Sequence, residues 1–147
     1  MTAYLDSSVV LRIVLREPGA LREWRAVRRG VASALVEVEC LRTLDRLRLR
    51  HGLADSDVAA RREAIFRLLE EAEVVAPTSA VLARAAQPLP TELGTLDAIH
   101  LASALAWRDE AGEDLVMATH DAALATAARA SGLLVVGGPH TSSRNSS

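Results

Sequence analysis

Four acidic residues, Asp6, Glu39, Asp97 and Asp121, occupy positions from which they could do chemistry together. In an open parallel sheet, ligands bind at the carboxyl ends of the strands. Asp6 directly follows the apolar run Thr2–Leu5, and Asp121 follows the run Leu115–Ala118 after Thr119 and His120. Glu39 falls in the second turn of a helix that follows the short run Val31–Ala32. Asp97 falls in the first turn of a helix beginning at Thr95, after a loop that can return to the same edge. Asp114 precedes its strand and belongs on the opposite edge. Converging carboxylates repel one another unless a cation lies between them, and an all-oxygen donor set suits Mg²⁺ or Mn²⁺. No Cys/His set has zinc spacing. A carboxylate-held divalent ion lowers the pKa of a bound water and stabilises charge on a phosphoryl group, which is phosphodiester hydrolysis. A structural reading competes with this one. Asp6, Asp97 and Asp121 each sit at a predicted helix N-terminus, where a carboxylate is favoured by free N–H groups and the helix dipole. Glu39 could pair with Arg42 three residues on.

The elements that must position these acids follow from periodicity and punctuation. Asp6-Ser7-Ser8 is a capping cluster before a short helix over Val9–Leu15, stopped near Pro18. Gly19–Arg29 reads as a second helix stopped by Gly30. Ser33 caps a long helix with Leu35, Val38, Leu41, Leu44 and Leu47 on one stripe, ended by Gly52. Asp55 caps the next helix, to about Ala72, and Val74–Val75 is a third strand. Ser79–Ala86 is a short helix, Gln87–Gly94 a loop, and Thr95–Trp107 a helix. Leu115–Ala118 is a fourth strand, Asp121–Ala130 a helix and Leu133–Val136 a fifth strand. Short apolar strands alternating with helices predict an α/β fold: a five-stranded parallel sheet with helices on both faces. The expected division is one domain over 1–139 and a polar tail, loose in character, over 140–147.

Composition narrows the class further. Half of the 147 residues are apolar and 24% are charged, which describes a globular chain rather than a disordered one. No apolar run approaches the ~20 residues that span a bilayer. Met1–Leu15 reads as strand and helix rather than a signal peptide, which makes the cytoplasm the expected location. The single cysteine, Cys40, permits no internal disulfide and reads as a buried core residue. A net charge of −2 excludes a chain that is basic throughout. From Arg12 to Arg50, however, ten arginines face five acids, a local excess of +5. That stretch is either a set of solvated helix faces or a phosphate-binding surface.

Four strings carry a family resemblance. Tyr4-Leu5-Asp6-Ser7-Ser8 resembles the opening motif of PIN domains, an Asp with a hydroxyl residue two positions on. Ser33 to Arg42, with Glu39 six residues after the serine, resembles the second motif. Leu93-Gly94-Thr95-Leu96-Asp97-Ala98-Ile99-His100 is similar to the third, and Met117-Ala118-Thr119-His120-Asp121 to the fourth. The four occur in order and span residues 2 to 136. The resemblance is to the VapC toxins of VapBC toxin–antitoxin pairs. It implies a metal-dependent endoribonuclease using Mg²⁺ (or Mn²⁺) held by Asp6, Glu39, Asp97 and Asp121. It also implies that Ser8 buttresses Asp6 and that Thr119 orients groups at the fourth motif. A cognate VapB-like antitoxin that covers the site, and a homodimer, are the implied partners, with RNA as substrate. Arg12, Arg16 and Arg42 are candidates for holding the RNA backbone.

Within this reading, Glu37 competes with Glu39, His120 is a candidate substrate contact, and His100 either bonds Asp97 or serves packing. Trp24 and Trp107 are assigned to packing. Two other function classes remain: a non-catalytic PIN-like module binding RNA or protein, and a phosphatase with Asp6 as nucleophile. The second lacks the aspartate that such enzymes place two residues after the nucleophile, since Ser8 stands there.

Overall fold

A computed structural model describes residues 1–139. The sequence-predicted polar tail over 140–147 lies outside the described residues. Five parallel strands, β1 (Thr2–Leu5), β2 (Arg29–Ser33), β3 (Glu73–Val75), β4 (Val116–Ala118) and β5 (Leu134–Val136), form one sheet in the order β3-β2-β1-β4-β5. Six helices connect them: α1 (Ser7–Val14), α2 (Leu35–His51), α3 (Asp55–Glu71), α4 (Ser79–Ala85), α5 (Thr95–Ala111) and α6 (Ala122–Ala130). Central β1 pairs through Tyr4 with Val31 on one side and Met117 on the other. The chain winds outward from β1 to β3, then returns across the sheet to β4. The switch point therefore lies between β1 and β4, where such sheets bind ligands.

Strand alternation divides the core into two layers. Ala3, Leu5, Ala32 and Ala118 pack with Val9, Val10, Val36, Cys40, Leu44 and Ile65 from α1, α2 and α3. Tyr4, Val31 and Met117 pack with Leu101, Leu105 and Leu124 from α5 and α6 on the other face. Burial on both faces explains why the strands read as short continuous apolar runs. Cys40 is buried, as expected, and burial pushes its thiol up to about 12.

One predicted element does not form. Gly19–Arg29 is not a helix; it holds a single 3₁₀ turn, Arg22–Ala26, and β2 begins at Arg29. The Arg28 N–H donates to the Met1 carbonyl at 3.0 Å, and Arg29 pairs in register with Thr2, so the sheet claims this segment. Gly30 is consequently a strand residue rather than a helix stop. A Cβ there would stand 3.0 Å from Leu5 Cδ1, so its smallness lets the core side chain of β1 pack. Helix α5 also continues a turn beyond its predicted end, to Gly112 in the left-handed conformation (φ 65°).

Gly137 closes the end of β5 against the β4–α6 loop. Its φ is +79°, and a Cβ would lie 2.9 Å from the Thr119 carbonyl oxygen. Gly137→Ala is expected to lower stability by about 1–3 kcal/mol, since strain and a backbone clash coincide. Gly52→Ala, at φ +61° with open space around it, should cost no more than about 1 kcal/mol. Urea denaturation of the two variants checks the difference.

Candidate metal centre

Asp6 is the most firmly held of the four acids. It caps α1 at the end of β1 and is only 4% exposed. Its Oδ1 accepts from the Ser7 N–H at 2.8 Å, and its Oδ2 accepts from the Ser8 and Thr119 hydroxyls, each at 2.8 Å. A buried carboxylate needs such donors to replace lost water. The same hydroxyls reach across to the β4–α6 loop. Ser8 Oγ accepts from the His120 N–H at 3.0 Å, and Thr119 Oγ1 accepts from the Asp121 N–H at 3.0 Å. Asp121 caps α6, with its Oδ1 accepting from the Leu124 N–H at 2.8 Å. For Asp6 and Asp121, capping and clustering are thus the same placement, and the two sequence readings do not exclude each other.

Glu39 comes to the site from α2, with its side chain 20% exposed. Its Oε2 accepts from the Ser7 hydroxyl at 3.2 Å, and its Oε1 lies 2.5 Å from His100 Nε2. His100, on α5, is fully buried, and its Nδ1 is 2.8 Å from the Tyr4 hydroxyl. Because the carboxylate can only accept, the Nε2–H of His100 donates to it. Burial by itself would depress the His100 imidazole. The bonded Glu39 carboxylate, with Asp6 and Asp97 nearby, outweighs that and holds its pKa above the ordinary value. The sequence reading offered His100 a bond to Asp97 or a packing role; it bonds Glu39 and Tyr4 instead. Its position one turn after Asp97 on an otherwise apolar helix face was the signal available.

Asp97 lies half-buried in the first turn of α5, and no donor hydrogen-bonds its side chain among the described residues. Its pKa is raised to about 6, first by desolvation and then by the charges of Asp121 and Asp6, with a smaller contribution from Glu39. His100 acts against the rise. The four sequence-predicted acids are thus electrostatically one group, short of positive charge. Among the described residues, no three His, Cys, Asp or Glu side chains are placed so that together they could hold a metal ion. Mg²⁺ does not require three, because it binds through one or two carboxylates and keeps several waters. The donor chemistry fits hydrated Mg²⁺ or Mn²⁺ and lacks the nitrogen and sulfur of a zinc site.

The remaining candidates separate. Glu37 is exposed and takes no part in the bonds around His100. Arg42 pairs with Asp45 at 3.1 Å rather than with Glu39. It lines a groove of about 320 Å³ with Ser7, Val38, Glu39 and Leu96. Arg12 lines a different cavity, with His120. Arg16 is exposed beyond α1, with φ +53°. Trp107 packs into the core and carries the Arg29 guanidinium over its ring at 5.2 Å.

Comparisons with known proteins agree with this architecture. The family described as "PIN domain" matches residues 3–135. Ribonuclease VapC46 of Mycobacterium tuberculosis (strain ATCC 25618 / H37Rv) is 36% identical over 137 residues, covering 90% of this chain and 95% of its own length. The crystal structure of VapBC2 from Rickettsia felis, bound to a DNA fragment from their promoter, contains a similar chain. It aligns with a TM-score of 0.64 over 92% of this chain and 97% of that one, at 11% identity, which speaks to fold alone.

Two outcomes follow from the geometry. Below about pH 4, Asp97 is protonated in both folded and unfolded chains and imposes no penalty. As pH rises toward 6, the unfolded chain gives up its proton first and the fold loses stability; above about 6 the penalty is constant. Asp97→Asn should therefore stabilise the metal-free protein at pH 7.5, on the order of 1 kcal/mol after solvent screening, and not at pH 4. Thermal unfolding at the two pH values reads this. Tyr4→Phe leaves the buried His100 Nδ1 without its partner and should cost about 1–3 kcal/mol in urea denaturation.

Proposed function

The chain belongs to the PIN-domain family, and from that premise we propose that it is a Mg²⁺- or Mn²⁺-dependent endoribonuclease, the toxin of a VapBC-type toxin–antitoxin pair. The observation that carries the reading is the set of carboxylates around Asp97: burial first, and then the charges of Asp121, Asp6 and Glu39, raise its pKa to about 6. Asp6, Glu39, Asp97 and Asp121 would hold the ion. That ion would supply positive charge to the phosphoryl oxygens and lower the pKa of water, so that hydroxide is available as a nucleophile near neutral pH.

The chain's own residues do the positioning. Ser8 and Thr119 fix both the orientation of Asp6 and the backbone of the β4–α6 loop. His100 and Ser7 hold the two oxygens of Glu39, so that its carboxylate keeps one orientation. Arg42, at the groove beside Glu39, is placed to meet an RNA phosphate. Val38 and Leu96 line the same groove while 58% and 49% exposed, giving a VapB-like antitoxin apolar contact next to the acids. A homodimer and a cytoplasmic location belong to the same reading, with residues 1–139 as the nuclease domain. Among the described residues, no helix is long and apolar enough to cross a membrane.

Purified, antitoxin-free protein incubated with total bacterial RNA tests the proposal. Discrete fragments bearing 5′-phosphates are expected with Mg²⁺ or Mn²⁺, and none with chelator or with Asp97→Asn. Ser8→Ala, which removes an orienting hydroxyl rather than an acid, should lower the rate about 10–100-fold. Products ending in a 2′,3′-cyclic phosphate would contradict the mechanism, because they require attack by the RNA's own 2′-hydroxyl.

A further inference from the structure

We propose that a second cavity, beside the acids, holds a backbone phosphate of the RNA next to the one that is cut, through Arg12, Arg22 and Arg129. This rests on the nuclease reading and assigns that site a second binding position. The cavity measures about 410 Å³ and is walled by α1, the 3₁₀ turn, the end of α6 and the Gly137–Gly138 backbone, with His120 in its lining. Three guanidiniums line it against one carboxylate, Glu23. Arg29, Arg42, Arg48, Arg67, Arg84 and Arg108 all have carboxylate partners. Among the described residues the other ten arginines have none, and Arg12, Arg22 and Arg129 are the three of these that share this cavity.

Local backbone makes room for these side chains. Arg12 spends a single donor on the Gly19 carbonyl at 3.2 Å, leaving most of its fork free. A Cβ at Gly19 would stand 3.4 Å from Arg12 Nη1, and one at Gly138 would stand 3.2 Å from Arg129 Nη2. The cavity adjoins the acids through defined bonds. Arg12 is one helical turn after Ser8 on α1, on the same face. Ser8 Oγ bonds Asp6 on one side and the His120 N–H on the other. The His120 Nδ1–H in turn donates to the Gly137 carbonyl at 3.0 Å, fixing the ring in the cavity wall.

The chemistry requires a partner of this kind. A cluster of carboxylates repels the phosphates on either side of the scissile one, and the divalent ion answers only for the phosphate it touches. Guanidinium forks pair with phosphate oxygens two at a time and stay charged at every working pH. A basic cavity one turn from Ser8 lets a neighbouring nucleotide be held while its scissile linkage meets the acids.

The test uses the full chain with Asp97→Asn, so that RNA stays intact, with and without Arg22→Gln and Arg129→Gln together. Both arginines are exposed, so the substitutions leave the core untouched. Anisotropy of a fluorescein-labelled single-stranded RNA is followed over a NaCl series. A second arm titrates inorganic phosphate while the His120 ring signals are followed by NMR. The double variant should bind RNA about 10-fold or more weakly, with the log–log salt slope reduced by about 0.7 for each phosphate that is no longer neutralised. Phosphate should shift the His120 signals in the parent and not in the double variant, and Arg50→Gln should change nothing. Unchanged RNA affinity and salt slope in the double variant overturn the proposal, whether or not phosphate shifts His120. In that case RNA cleavage by the wild-type chain shows that the nuclease reading survives. A wild-type chain that neither binds nor cuts RNA brings down both.

Discussion

Like charges resist being brought together, and this fold brings carboxylates from four separate segments to one edge of its sheet. Asp6 arrives at the end of β1, Asp121 just beyond β4, Glu39 from α2 and Asp97 from α5. Each is delivered by an element whose other face is committed to the core, so none can retreat without disturbing packing. Leu5, Val36, Leu101 and Leu124 are all essentially excluded from solvent next to these segments. At Asp97 that repulsion adds to the larger effect of desolvation, and among the described residues no hydrogen-bond donor reaches its side chain to offset them.

The rest of the site reads as a response to that constraint. Asp6 is buried, and a backbone N–H and two hydroxyls supply its oxygens with the donors that water no longer can. Glu39 is restrained by His100, which is itself backed by Tyr4 from the central strand. The Tyr4–His100–Glu39 line runs from the middle of the sheet to its ligand edge, so core packing and site geometry are mechanically one unit. Positive charge of the protein's own lies outside the cluster: Arg42 on one side, and Arg12, Arg22 and Arg129 on the other. A substrate that is a string of phosphates suits such a layout better than a small molecule does.

Much of this was legible in the chain because it depends on local rules. Strand runs ending just before Asp6 and Thr119 announced the ligand edge, and the helix stop at Gly52 lies where glycine can take a positive φ. The segment after Pro18 was misread because its helical pattern is outweighed by pairing with β1, an interaction set by Met1 and Thr2 far away in sequence. The partner of His100 could not be read for a similar reason, since Glu39 and Tyr4 meet it only once α2, α5 and the sheet have packed. The pairing that helix spacing allowed between Glu39 and Arg42 does not form, because Arg42 pairs with Asp45 while Ser7 and His100 take up Glu39. Helix spacing indicates which pairs are possible; tertiary packing selects among them.

The central claim is that the carboxylates around Asp97 are a single cation-binding group. Titration of the metal-free chain with Mn²⁺, following the ion by electron paramagnetic resonance and the protons released, tests it most directly. Because Asp97 is half-protonated near pH 6, binding there should expel a fraction of a proton per ion, and binding at pH 8 almost none. Asp97→Asn should abolish both the binding and the release. Mn²⁺ that fails to bind, or that binds equally well without Asp97 and without releasing protons at pH 6, would contradict the account.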